Sequence, residues 1–314
     1  MNREDFKFPS ADRKTRIQAF LWTPEEDRPI RGIVQITHGM QEFALRYEHF
    51  AAFLCGRGYA VAAMDLLGHG ASVTSDSKYG YFARKNGNQC LLTDIRELQR
   101  QTRSRLGDKL PYYMLGHSMG SFLIRQYICL YGEEIDGAVI SGTGYHSALE
   151  ANFGMQLCRL MAGIKGWEYR SRLITRIAMG SYNHRFEPAR TRFDWLTRDE
   201  QIVEAYRRDP RTQFMFTLNG FYNLFYSLKQ LTVPARLARV PANLPVLFIS
   251  GSMDPVGAFG NGVKKAAVSL QSAGVRDVTC RLYPNDRHEV LNELDRADVY
   301  ADVLDWLKRH PARA

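Results

Sequence analysis

The order of apolar segments in this 314-residue chain predicts an α/β fold: a mainly parallel central sheet with helices on both faces and one helical insertion. Three observations carry that prediction. Short apolar runs of strand length alternate with segments whose apolar residues recur at helical spacing, the pattern of a sheet covered on both sides. One such run, Tyr112 to Leu115, stops abruptly in Gly116-His117-Ser118-Met119-Gly120 and passes into a helix-compatible segment carrying Phe122, Leu123, Ile124, Tyr127 and Ile128. The alternation lapses between residues 144 and 239, where helical patterns continue without a convincing strand.

Taken in order, residues 3–8 and 14–22 alternate as a strand pair would, and a polar turn follows from Pro24 to Pro29. Arg31 to Thr37 reads as a buried strand ending in His38-Gly39-Met40. Tyr47, Phe50, Ala51, Phe53 and Leu54 mark a helix closed by Gly56 and Gly58, and Tyr59 to Met64 is the next strand. The unit repeats: a helix from Leu91 to Leu106 leads to the strand at Tyr112, and Gly137 to Ile140 supplies another strand. Within the insertion, Leu149, Phe153, Leu157, Leu160 and Met161 share a helix face, and Thr197-Arg-Asp-Glu200 has the form of a capping box opening a helix that Asp209-Pro210 closes. Phe214 to Tyr226 is apolar nearly all round, so it is expected either in the insertion's own core or against an apolar ligand. The sheet rhythm then returns with a strand from Leu244 to Ser250 that ends in Gly251-Ser-Met-Asp-Pro255. A helix from Gly262 to Gln271, a strand from Val278 to Tyr283, the turn Asn285-Asp-Arg-His288 and an amphipathic helix from Leu294 to Arg309 complete the chain. The expected organisation is a core in two parts, 1–143 and 240–314, separated by a helical cap, 144–239.

Composition narrows the function classes. With 45% hydrophobic and 24% charged residues the chain can bury a large core, and it contains no repeat and no run of about 18 apolar residues that would span a membrane. The charged N-terminus has no apolar signal core, which points to a cytoplasmic protein. Five scattered cysteines without metal-ligand spacing read as reduced, mostly buried thiols, so no metal site and no cofactor is expected. The net charge of +9 comes from dispersed arginines without a nucleic-acid module, which argues against a nucleic-acid partner. Peripheral contact with an anionic membrane surface stays open, as does a basic face that simply meets water.

The stretch around Ser118 carries the chemistry. A residue at the tip of a strand-to-helix turn needs an unfavourable backbone conformation, and Gly116 and Gly120 leave room for the flanking chain to approach closely. The serine hydroxyl is then exposed beside the first amides of a helix. In an open parallel sheet, ligands bind beyond the carboxyl ends of the strands. Four segments fall there: His38-Gly39-Met40, Ser118, Asp254 and His288. The order Ser, Asp, His is that of a nucleophile with its base and the carboxylate that orients the base. His117 is expected to point away from Ser118, His69 to be a turn residue and His38 to shape its loop; Asp286 and Glu289 lie too close to His288 in sequence to reach its ring easily, and Asp65 ends an early strand.

These motifs, His38-Gly-Met40, Asp65-Leu-Leu-Gly-His-Gly-Ala-Ser72, Gly116-His-Ser-Met-Gly120, Gly251-Ser-Met-Asp-Pro255 and Arg287-His-Glu289, make the chain resemble the α/β-hydrolases. Within them it resembles the monoacylglycerol lipase and lysophospholipase-like branch, also labelled serine-aminopeptidase-like. The resemblance spans residues 31–143 and 240–309 and is weaker in the cap. It implies Ser118 as nucleophile, His288 as general base and then acid, Asp254 as the orienting carboxylate, and the backbone amides of Met40 and Met119 as oxyanion-hole donors. Phe153, Trp195, Phe214 and Phe221 are the expected wall of a pocket for a hydrophobic acyl ester, and the cap arginines Arg159, Arg170, Arg172, Arg176 and Arg185 either meet a phosphate headgroup or face solvent. Two other readings stand beside this one: a small-ester esterase, thioesterase or serine peptidase on the same three residues, and a non-catalytic binder or receptor on the same scaffold.

Overall fold

Each strand expected from the apolar pattern is present in the computed structural model, which describes residues 1–26 and 28–312. Residue 27, within the expected turn from Pro24 to Pro29, lies outside the described residues, as do 313 and 314. The eight strands are β1 (Asn2–Pro9), β2 (Arg16–Thr23), β3 (Gly32–Thr37), β4 (Tyr59–Met64), β5 (Tyr112–His117), β6 (Gly137–Ser141), β7 (Val246–Gly251) and β8 (Val278–Tyr283). They form one sheet in the order β1-β2-β4-β3-β5-β6-β7-β8. β2 pairs antiparallel with both β1 and β4, and every pairing from β4 across to β8 is parallel. All residues of β3 to β7 are buried, as strands covered on both faces must be.

The covering helices are α1 (Glu48–Cys55), α2 (Gly87–Leu106), α3 (Met119–Tyr131), α9 (Asn261–Ser272) and α10 (Arg296–Arg309). On one face, Leu91, Ile95 and Leu98 of α2 join Leu123, Ile124 and Tyr127 of α3 and Val263, Ala266 and Leu270 of α9 in one core. On the other, Phe50 and Leu54 of α1 pack with Val299, Val303, Trp306 and Leu307 of α10. Between β6 and β7 the chain forms α4 (Ala148–Lys165), α5 (Arg172–Met179), α6 (Glu200–Arg208), α7 (Leu218–Gln230) and the short α8 (Pro234–Leu237), with no strand among the described residues. No helix among them is long and apolar enough to cross a membrane.

Local details depart from the sequence pattern where side chains compete for the same backbone groups. α2 starts a turn before Leu91, after Asn86 in a left-handed conformation with φ 53°. α6 is capped by Asp199, which accepts from the amides of Gln201 and Ile202, because the Thr197 hydroxyl instead donates to the Asn292 carbonyl. A capping box does occur, at Ser147 and Glu150, where it opens α4. The buried face of α4 is Ala151, Gly154, Met155, Cys158 and Ala162, so the stripe that includes Leu149, Phe153 and Leu160 turns outward. Small residues win the inner face because α4 lies close on α7: a Cβ on Gly154 would sit 2.7 Å from the Phe225 ring.

Candidate active site

Ser118 sits between β5 and α3 with φ 53° and ψ −119°, a conformation that costs a non-glycine residue about 1–3 kcal/mol. Close packing enforces it. A Cβ on Gly116 would fall 2.5 Å from the Gly120 carbonyl oxygen, and one on Gly120 only 2.1 Å from the carbonyl oxygen of Thr37. α3 therefore begins pressed against the end of β3, while the Ser118 amide donates to the Ser141 carbonyl at 3.0 Å. The side chain is left half-buried at the wall of a cavity of about 380 Å³.

The loops after β7 and β8 bring the other two residues together. His288 Nδ1 lies 3.0 Å from Asp254 Oδ1, and both residues are buried. Asp254 also accepts from the Ser250 hydroxyl and the Val256 amide, each at 2.9 Å. Burial alone would pull the His288 pKa down, but the Asp254 charge and hydrogen bond outweigh it and raise it above 6.5. For Asp254, burial is likewise outweighed by His288, and the carboxyl is held below its ordinary value. The two directions agree on an imidazolium stabilised by its carboxylate. The imidazole and Ser118 line the same cavity.

Met40 and Met119 line the same cavity, and their backbone N–H groups donate to no protein acceptor among the described residues. Met119 is the first residue of α3, where amides lack an intrahelical partner. The loop carrying Met40 is fixed by Glu42, which accepts from the Gly39 amide and, at 3.1 Å, from the Tyr47 hydroxyl. Arg46 reaches Glu42 at 3.1 Å and forks onto Glu289 with two bonds of 2.7 Å. The unequal sharing separates the two acids. Burial pushes Glu42 up to about 7 with Arg46 opposing, whereas burial of Glu289 is outweighed by the bidentate guanidinium and its pKa falls to about 2.

His117 packs its ring 4.6 Å from that of His288, and burial, then His288, hold it neutral with a pKa near 3. On its other side His288 meets the Trp195 ring at 5.0 Å. Trp195 and Phe153 line the cavity as expected, but Phe214 and Phe221 do not. Phe214 precedes α7 and packs on Tyr79 at 4.8 Å and His69 at 5.5 Å, while Phe221 lies one turn too early on α7, beneath Phe216 at 5.6 Å. The α7 positions that reach the cavity are Leu224, Phe225 and Leu228, and α5 adds Ile177, Ala178 and Met179. Phe221 shares the helical face of Leu224, Phe225 and Leu228, so its position along α7 and not its phase keeps it from the cavity. Asp286 bonds Arg198, and Asp65 accepts from the amides of Ala44 and Ala71, so neither serves His288.

The family model described as serine aminopeptidase, S33, matches residues 28–295. The chain belongs to that family. It is 28% identical over 301 residues to a monoacylglycerol lipase of Mycolicibacterium smegmatis, covering 94% of each chain. Among solved structures, a thermostable carboxyl esterase from Bacillus coagulans superposes with a TM-score of 0.91 at 28% identity over 99% of both chains. A soluble variant of the monoglyceride lipase of Saccharomyces cerevisiae shares the fold, with a TM-score of 0.77 at 18% identity over 99% of this chain and 96% of its own.

In this member of the S33 family, Arg46 is the only cation bonded to either Glu42 or Glu289 among the described residues. Arg46→Leu is expected to cost about 3–5 kcal/mol, since it strands two buried carboxylates. Without the guanidinium both folded-state pKa values rise above the unfolded value, so the deficit widens as pH rises. Urea denaturation of wild type and variant at pH 5 and pH 8 checks this; equal deficits at the two pH values would contradict it.

Proposed function

We propose that this protein is a serine hydrolase that cleaves carboxylic esters of hydrophobic acyl groups, of the monoacylglycerol lipase or lysophospholipase type, through an acyl-enzyme on Ser118. The observation that carries the reading is the strained Ser118 turn opening on one cavity with His288, whose far nitrogen is held by Asp254. Sequence similarity to a monoacylglycerol lipase and structural similarity to a carboxyl esterase support the ester class.

In this mechanism His288 Nε2 takes the proton of Ser118 Oγ as the oxygen attacks the ester carbonyl. The Met40 and Met119 amides receive the developing oxyanion, each donor being worth about 3 kcal/mol in the barrier. Collapse expels the alcohol, which leaves with the proton from His288, and water then hydrolyses the acyl-enzyme by the same route. Asp254 keeps Nδ1 protonated and stabilises the imidazolium. His117 and Trp195 flank the imidazole and restrict its rotation.

The acyl chain lies along Phe122, Phe153, Ile177, Leu224, Phe225 and Leu228. Each methylene buried there contributes about 0.8 kcal/mol, which favours medium and long chains over acetyl. Residues 144–239 serve as the cap over this channel. Its outer face carries Leu149, Leu160 and Ile164 at 70–83% exposure beside Leu173 and the exposed Arg172 and Arg176. That pairing of an apolar row with cations fits peripheral contact with an anionic lipid surface.

A fluorophosphonate probe is expected to label the wild type and not Ser118→Ala; failure to label folded wild type would sink the hydrolase reading. Asp254→Asn should fold yet lose about 10⁴ in kcat, and the wild-type rate should fall on acidification as His288, with its raised pKa, gains a proton. On p-nitrophenyl esters of increasing chain length, kcat/KM is expected to rise beyond butyrate, and a maximum at acetate would count against the acyl channel. Sedimentation with phosphatidylglycerol vesicles should be lost in Leu160→Glu/Ile164→Glu, and retention would remove α4 from the membrane reading.

A further inference from the structure

Gly154 stands where α4 crosses α7, and it lines the Ser118 cavity together with Phe225 and Leu228. A Cβ on it would fall 2.7–2.8 Å from Cγ, Cδ1 and Cδ2 of Phe225, well inside van der Waals contact. Those three atoms are the root of the ring. Rotation about χ2 leaves Cγ in place and gives no relief, so either the whole ring moves or the two helices part.

The surroundings decide between these. On one side of the crossing Ala151 shares a buried cluster with Leu228, and on the other Arg159 donates to the Tyr222 hydroxyl at 2.7 Å, so α4 is held to α7 at both. Phe221 stacks against Phe225 with centroids 6.3 Å apart and is itself buried under Phe216, which fills the space toward the start of α7. The half-buried Phe225 has its open side in the cavity of about 380 Å³. A displaced ring enters that space, since an overpacked contact is relieved by shifting a side chain. Glycine is otherwise a poor choice for the interior of an 18-residue helix, where alanine is favoured. Gly163 in the same helix is exposed, with nothing within 4 Å of its Cβ position, so of the two glycines of α4 only Gly154 makes room for a ring.

From this we propose that Gly154 sets the longest acyl chain the cavity takes. By lacking a Cβ it lets the Phe225 ring lie back on α4, and the room so left is room for methylenes. The inference rests on the ester reading and adds to it which acyl chains are accepted.

Rates on p-nitrophenyl esters from butyrate to palmitate test it. In Gly154→Ala, kcat/KM is expected to stay near the wild-type value on butyrate and to fall on long esters by about fourfold for each methylene that no longer fits, which moves the optimum to a shorter chain. Gly163→Ala should keep the wild-type profile. Phe225→Leu, which introduces no clash, should move the optimum to a longer chain, and in Gly154→Ala/Phe225→Leu the long esters should regain their rates. A wild-type profile or a uniform loss across the series in Gly154→Ala, or an unmoved optimum in Phe225→Leu, would overturn the assignment. Binding separates it from the ester reading. Ser118→Ala is expected to hold p-nitrophenyl laurate about tenfold or more tightly than Ser118→Ala/Gly154→Ala does, and equal Kd values would overturn the role of Gly154. A wild type that cleaves no ester would sink the ester reading alone, because the two Kd values still decide on Gly154.

Discussion

The approach of α3 to the end of β3 is the constraint on which the site depends. Gly120 lies so near the carbonyls of Thr37 and His38 that any side chain there would overlap backbone, and Gly116 makes the same allowance for Gly120. Two consequences follow from that one contact. The chain must turn at Ser118 through a conformation that a non-glycine residue adopts only under compulsion, and the peptide after β3 must pass directly beside it. Sheet topology adds the rest, since β5 and β3 are neighbours and β7 and β8 follow across β6. Ser118, Met40, Asp254 and His288 converge because they all leave the sheet at its carboxyl edge.

A second layer of interactions ties these loops to one another through charge. Glu42 belongs to the loop after β3 and Glu289 to the loop after β8, and Arg46 bonds both. One buried guanidinium thus joins the segment holding the Met40 amide to the segment holding His288. Such a network is a poor source of net stability but a strong constraint on geometry, because either acid left alone is costly. It also fixes the electrostatics around His288. Glu289 and Glu42, together with Asp254, favour the imidazolium, while His117 is kept neutral between them and so adds no opposing charge at neutral pH.

The fold and the convergence of Ser118, Asp254 and His288 were legible because each rests on a local signal. Strands covered on both faces are continuous apolar runs, and the Ser118 turn needs glycines at fixed offsets. In a segment that is apolar all round, the sequence cannot show which turn of the helix meets the cavity. Along Phe214 to Tyr226 every residue could face a ligand, and only the seating of Phe225 on Gly154 decides that Leu224, Phe225 and Leu228 do while Phe214 and Phe221 do not. The Arg46 network was hidden for another reason, since Glu42 and Glu289 are 247 positions apart and meet only through the order of the strands. Asp199 replaced Thr197 as a helix cap because the Thr197 hydroxyl is drawn to a carbonyl nearly a hundred residues away, a contact without local trace.

The helices between β6 and β7 do not relate to Ser118, Asp254 and His288 as one body. The segment from Asp194 to Arg198 is fastened to the His288 loop: the His288 and Glu289 amides donate to the carbonyls of Trp195 and Leu196, and Arg198 pairs with Asp286, Glu293 and Asp295. Trp195 then lies against the imidazole itself. α4, by contrast, makes no hydrogen bond to the loops of Ser118, Asp254 or His288 among the described residues; it rests on α7 through small side chains and turns its larger apolar ones outward. A displacement of residues 194–198 would therefore carry His288 with it. A displacement of α4 would change the width of the cavity while leaving the imidazole in place. The two parts are separable in this architecture because hydrogen bonds tie residues 194–198 to the His288 loop, whereas those of α4 and the segment after it, from Arg159 to Tyr222 and from the Leu218 and Asn219 amides, run to α7.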